Sequence, residues 1–144
     1  MPGLLALREL PAIVLAWEKL RIRPDLLLCD AQGTAHPNRF GLACRLGVVL
    51  GVATVGCGKS PLVGEHDPVP AHRGARAWLW HEGERVGLVV RTRASVRPLY
   101  VSPGHGIGFD ESYRVVLDAS PHTRLPEPLR AAHHLATLAR NAEV

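Results

Sequence analysis

One acid, Asp30, closes an apolar run (Leu26, Leu27, Leu28) and stands directly before a turn holding Gln32 and Gly33. A carboxylate at the carboxyl end of a buried strand, facing a glycine turn, is where α/β sheets place their chemistry. Asp is also a common turn or cap residue, and this segment alone leaves both readings open. Two further stretches carry reactive groups: Gly56-Cys57-Gly58-Lys59-Ser60 and Ser102-Pro103-Gly104-His105-Gly106. Parallel neighbouring strands would set the Asp30–His36 loop beside Lys59 and Ser60, with His105 converging from a third loop. A carboxylate, a Lys and a His in one place suit phosphodiester hydrolysis. The acid can hold Mg²⁺, which activates a water and neutralises phosphate charge. Lys can stabilise the developing oxyanion, and His can orient the water or act as acid or base. Glu9, placed just before a predicted helix, is a second acid that could join the metal site.

Other constellations are weaker. Gly-Lys-Ser at residues 58–60 follows a strand, as in a phosphate-binding P-loop, but that motif needs Gly where Ala53 stands. His66, His72 and His81 lie near Glu65 and Asp67, yet their spacings match no helical or zinc-finger pattern. His133 and His134 are adjacent and point in different directions on a helix. Trp78 and Trp80 share one face of their strand, where core packing is the default and base stacking the alternative.

The elements that must position these groups follow from periodicity. Residues 11–20 predict a helix, with Pro11 in its first turn and Ile13, Trp17 and Leu20 on one face. Residues 26–29 and 52–55 predict buried strands, and residues 40–50 a helix with Leu42, Leu46, Val49 and Leu50 inward. Residues 56–60 read as a turn leading into a short helix. Residues 75–80 and 86–91 form a hairpin around Glu82-Gly83, residues 99–101 a further strand, and residues 102–106 a loop. Residues 109–117 and 129–140 predict helices, the first opened by Asp110 and Glu111, the second with Leu129, Ala132, Leu135 and Ala136 inward. The order predicts one mixed α/β layered domain.

Composition sets outer bounds. The 144 residues are 47% hydrophobic and 21% charged, as in ordinary globular proteins. No apolar run reaches the ~20 residues of a membrane span. Arg8 and Glu9 break the N-terminal apolar stretch, which argues against a signal peptide. Cys29, Cys44 and Cys57 show no CxxC spacing and read as reduced thiols of a cytoplasmic protein. A net charge of +4 mildly favours a polyanionic partner.

With these residues in hand, the chain resembles the endonuclease V family, nucleases that cleave near deoxyinosine in DNA or inosine in RNA. The matching segments are PGLLALRE (residues 2–9), AWEKL (16–20), PDLLLCDAQGTAHP (24–37), the helix start at Gly41, TVGCGKS (54–60), VRTR (90–93), LYVSPGH (99–105) and LPEPLRAAHHLA (125–136). The resemblance implies an RNase H-like mixed sheet flanked by helices, Mg²⁺ or Mn²⁺ as cofactor, and a monomer cutting 3′ to the lesion in DNA repair. It implies Asp30 as a metal ligand, Glu9 as a second active-site acid, His105 as the catalytic histidine and Lys59 as the lysine near the scissile phosphate. Gly3, Leu5, Gly33 and Gly41 would surround the pocket for a flipped hypoxanthine.

Departures from the family pattern are Ala31 where Gly usually follows the Asp, Asn38 where a basic residue is common, Arg45 for a frequent His, and Gly58 for a frequent Ala. The family begins with strands upstream of PGLL. The first carries another metal-binding Asp, and a Tyr wedge follows, so the chain is expected to be a partial domain, through fragmentation or a start assigned too late. The strand absent from it would lie beside the one bearing Asp30. The chain alone is therefore expected to be poorly stable, with an exposed apolar edge, and weakly active or inactive. The alternative reading is a nucleic-acid-binding remnant that does not cut.

Overall fold

The computed structural model describes residues 2–142, with side chains from residue 9 onward. Its elements run α1 (Pro2–Glu18), β1 (Leu26–Cys29), α2 (Leu42–Leu50), β2 (Ala53–Gly58), β3 (Arg76–His81), β4 (Glu84–Val90), β5 (Leu99–His105), α3 (Phe109–Asp118) and α4 (Glu127–Ala142). The strands form one mixed sheet in the order β1-β2-β5-β4-β3. β1 and β2 are parallel, as expected from two buried strands joined through a helix. Every other neighbouring pair is antiparallel.

The pleat sorts the side chains between two layers. Val55, Cys57, Leu88, Val90, Leu99 and Val101 pack with Val116 of α3, and Leu26, Leu28, Trp78 and Phe109 close this core. Trp78 meets Phe109 edge to face, with centroids 5.3 Å apart. On the opposite face Cys29, Ala43 and Leu46 gather α2, β1 and the second half of α1. Farther along that face Ala35, from the β1–α2 connection, packs on Leu79, Val86 and Val89. The β1–α2 connection is therefore a covering layer that crosses β5 and β4, with the Thr34 hydroxyl donating to the Val86 carbonyl at 2.8 Å.

Several expected boundaries move. α1 starts at Pro2, so Pro11 lies inside it, and Glu9 lies within the helix rather than before it. β2 continues through Gly58 and β5 through His105, where turns were expected. The ladder explains this: β2 is paired on both sides, Gly56 with Cys29 of β1 and Cys57 with Val101 of β5. Backbone hydrogen bonds on two sides outweigh the turn preference of glycine. No helix follows Ser60. Val49 is 53% exposed and Leu135 is 65% exposed, so the inward faces expected for α2 and α4 were drawn too wide. Among the described residues β1 pairs only with β2, and its outer edge carries no ladder.

Candidate functional site

The parallel register fixes the first pair. Cys29 lies opposite Gly56, so Asp30 leaves β1 beside the last residues of β2, and Lys59 follows Gly58 at the same sheet end. The Lys59 ammonium stands 3.8 Å from the Asp30 carboxylate, and both side chains are nearly half exposed, at 44% and 46%. An ion pair this exposed contributes about 0–1 kcal/mol to stability. It does little to hold the fold, and both groups are open to a ligand.

Backbone packing holds Asp30 in place. The Gly33 N–H donates to the Ser102 hydroxyl at 2.9 Å, and the Thr34 N–H to the Pro103 carbonyl at 2.9 Å. The Gly41 N–H returns to the Gly33 carbonyl at 3.0 Å, joining the two glycines expected near a base pocket. The turn lies directly on β2, where a side chain at Gly56 would run into the backbone of Ala31, Gln32 and Gly33. The Gln32 amide sits over Gly58 and donates to the Ser60 carbonyl at 3.0 Å. Glycine at residues 56 and 58 is thus what lets the turn lie flat on the strand.

A cleft of about 280 Å³ opens beside Asp30, with Glu9, Ile13, Leu27, Leu42 and Leu46 among its walls. α1 brings Glu9 to this cleft, so the two acids face one space. Two carboxylates are a hard-oxygen donor set of the kind Mg²⁺ takes together with waters and substrate phosphates, so the residues present fit that ion. Among the described residues no group of three or more His, Cys, Asp or Glu gathers, either at this cleft or elsewhere. The zinc reading of His66, His72 and His81 finds no support there.

His105 does not join this site. β5 runs antiparallel to β2, and His105 pairs with Thr54, five residues before Lys59. At about 3.3 Å per strand residue the two are roughly 16 Å apart along the sheet. The expectation that three loops converge failed because the loop carrying His105 is strand, and its direction takes the residue to the opposite end. Gly3 and Leu5 lie in α1, but their side chains fall outside the described residues. A P-loop is contradicted as well, since β2 runs through the glycines and no helix receives a phosphate. Trp80 is 42% exposed, while Arg85 stacks on both Trp78 and Trp80, at 4.3 and 5.2 Å from the ring centroids.

Sequence reasoning missed the groups that brace the site from afar. Arg39, held at φ 60° in the left-handed region, donates to the His36 carbonyl at 3.0 Å and the His81 carbonyl at 3.1 Å, and lies 2.9 Å from the His81 ring Nδ1. It so fastens the β1–α2 connection to the β3–β4 hairpin. Arg124 reaches the Lys59 carbonyl from the α3–α4 loop. No local pattern signals contacts spanning 42 or 65 residues.

His36 is buried, and its Nδ1 accepts from the Asn38 N–H at 3.1 Å. Burial, and then the nearby Arg45 charge, hold its pKa below the ordinary imidazole range. The unfolded chain therefore binds the proton first as pH falls through about 6.5, so this contribution to stability is present above that pH and declines below it. His36→Asn should flatten the slope of Tm against pH between about pH 7.5 and 5.5 relative to the parent. An unchanged slope would show that His36 does not couple folding to protons. Burial pushes the Cys29 thiol up to about 12 and raises Cys57 further, so these thiols are poor nucleophiles and structural in role.

The endonuclease V family profile matches residues 1–134. An endonuclease V of Myxococcus xanthus is 51% identical over 99% of this chain and 61% of its own length. The chain spans about three fifths of the curated relatives it matches. The crystal structure of an endonuclease V from Streptomyces avermitilis superposes with a TM-score of 0.95 at 39% identity, over the whole of this chain and 64% of that one. Endonuclease V of Ciona intestinalis, solved with a DNA containing inosine, shares the fold at a TM-score of 0.82 and 22% identity, over 97% of this chain and 66% of that one. No described helix is long and apolar enough to cross a membrane. With a profile that runs along nearly all of its residues and a fold shared over the whole chain at 39% identity, the chain belongs to the endonuclease V family.

Proposed function

We propose that the chain is a metal-dependent endonuclease acting on inosine-containing DNA or RNA, hydrolysing the phosphodiester 3′ to the lesion, with a role in DNA repair in the cytoplasm. The observation that carries this reading is the Asp30–Lys59 pair at the ends of two parallel strands, opening on a cleft that Glu9 also lines. Asp30 and Glu9 are the residues that would hold Mg²⁺ or Mn²⁺, and a divalent ion there supplies charge neutralisation and an activated water. Lys59 offers a positive charge to the phosphate at the same rim, stabilising the oxyanion as negative charge develops. The Gly33 and Gly41 turn, with Gly3 and Leu5 on α1, would wall the pocket for the flipped base. His105 is left out of the machinery by its place at the opposite sheet end.

The test is direct. The purified protein is incubated with a labelled oligonucleotide containing one inosine, with Mg²⁺ or with a chelator, alongside the guanosine control. Cutting 3′ to inosine that requires the metal is the expected result. Binding of the inosine strand without any cutting would support the non-catalytic alternative, for which the presence of only two acids among the described residues of the cleft speaks.

A further inference from the structure

Lys59 has no secondary structure of its own to hold it. β2 ends at Gly58, no helix follows Ser60, and the Lys59 side chain is 44% exposed. Its position has to come from elsewhere, and both carbonyls of the Lys59–Ser60 pair are taken by distant side chains. Arg124 Nη2 donates to the Lys59 carbonyl at 2.7 Å and to the Pro98 carbonyl at 2.9 Å, and its Nε donates to the Arg97 carbonyl at 2.8 Å. Gln32 takes the Ser60 carbonyl. Arg124 is itself fixed, because the Thr92 hydroxyl donates to its carbonyl at 2.6 Å.

The chemistry of this contact is specific to a guanidinium. One planar fork holds three carbonyls from two chain crossings, which a Lys ammonium on a flexible stem does not reproduce. Arg124 also meets no carboxylate within ion-pair distance among the described residues. Burial, with the charge of Arg97 beside it, lowers its pKa below the usual guanidinium range. A cation placed against another cation, and given carbonyls rather than an acid, serves geometry rather than charge balance.

We infer that Arg124 is the positioning residue for Lys59, acting on the reaction proposed above by fixing the Lys59 main chain so that the ammonium stands at Asp30. Arg124 touches neither acid and needs no contact with the substrate to do this. The inference rests on the endonuclease reading for its kinetic consequence, and on the geometry alone for its structural one.

Both are measurable. Single-turnover cleavage and equilibrium binding of the inosine oligonucleotide are compared for the parent, Arg124→Ala, Arg124→Lys, Lys59→Ala and the Lys59→Ala/Arg124→Ala double variant. Arg124→Ala should slow the cleavage step about tenfold to a hundredfold, as loss of an outer support does, with binding changed by less than about threefold. In the Lys59→Ala background the same change should add less than about threefold, because the group acted upon is gone. Added guanidinium ion should restore part of the rate to Arg124→Ala. Additive losses in the double variant, or a loss confined to binding, would overturn the inference, the second pointing to a phosphate contact instead. Should Arg124→Ala not fold, Arg124→Lys carries the same comparison. A second readout needs no activity. The Lys59 ε-methylene NMR signal should respond to Asp30→Asn in the parent and lose that response in Arg124→Lys; a retained response would sink the inference. A parent that binds but never cuts refutes the endonuclease reading and leaves the NMR comparison to decide this one.

Discussion

Asp30→Ala should abolish metal-dependent cleavage, lowering the rate by at least about a thousandfold, while binding of the inosine strand changes by less than about tenfold. The magnitude follows from the role. A carboxylate that holds a divalent ion supports several kcal/mol of charge stabilisation in the transition state, and each 1.36 kcal/mol is about a factor of ten in rate. The fold should be nearly indifferent. Among the described residues the only ion pair lost is the exposed one with Lys59, worth about 0–1 kcal/mol, so Tm should move by no more than a few degrees. This contrast separates the enzyme from a structural Asp at a turn. Single-turnover cleavage with Mg²⁺ held at several concentrations, together with a melting curve, reads both. Asp30→Ala that cuts at the parental rate would remove Asp30 from the chemistry, and one that melts far below the parent would restore the turn-residue reading.

The second large effect is expected at a residue with no chemistry at all. Gly56→Ala puts a methyl group 2.5 Å from the Gly33 nitrogen, 2.7 Å from the Ala31 carbonyl oxygen and 2.8 Å from the Gln32 carbonyl carbon. All three are backbone atoms, so no side-chain rotation relieves the contact. Either the turn lifts off β2 or the ladder to β1 opens, and forced overpacking of this kind costs about 1–3 kcal/mol, occasionally more. Cleavage should fall with stability, because the atoms displaced are those that follow Asp30. Gly108→Ala is the natural comparison: nothing lies within 4 Å of its added methyl group, and its φ of −96° suits any residue. That variant should stay within about 1 kcal/mol of the parent, the cost of a poorer helix cap. Urea denaturation of both, followed by cleavage assays, makes the comparison. Equal stability of Gly56→Ala and the parent would mean that the turn is looser than its contacts imply.

What the sequence made legible was the part governed by short-range pattern. The apolar runs of β1 and β2, their parallel pairing and the meeting of Asp30 with Lys59 follow from burial and from the helix between them. What it concealed depends on partners far along the chain. Gly56 and Gly58 carry the local signature of a turn, yet they are strand because two neighbours bond to them and the Gln32 turn needs the space above. His105 looked like a loop residue beside the acid, and only the antiparallel direction of β5 sends it away. Arg39 and Arg124 gave no sign of their roles, since an arginine that binds carbonyls 26 to 65 residues away reads as one more surface charge. Glu9 is legible as an acid beside a helix that could join the metal site, and α1, which runs past it from Pro2, explains how it comes to line the cleft of Asp30.

The Arg39 anchor has a bearing on how substrate affinity can change. The β1–α2 connection passes from Asp30 to a hairpin on the far side of the sheet and back to Gly41, with Arg39 gripping the hairpin at His81. A free loop of this length loses conformational entropy when a ligand orders it, about 1–2 kcal/mol for each residue fixed. Here folding has already ordered it, so a nucleic acid meets a surface whose freedom was lost before it arrived. The hairpin residues Glu82 and Glu84, which touch no part of the cleft, lie 3.9 and 3.6 Å from the Arg39 guanidinium and share in keeping it so. Sequence drift at that hairpin would then tune binding from across the sheet, through loop rigidity rather than through contact.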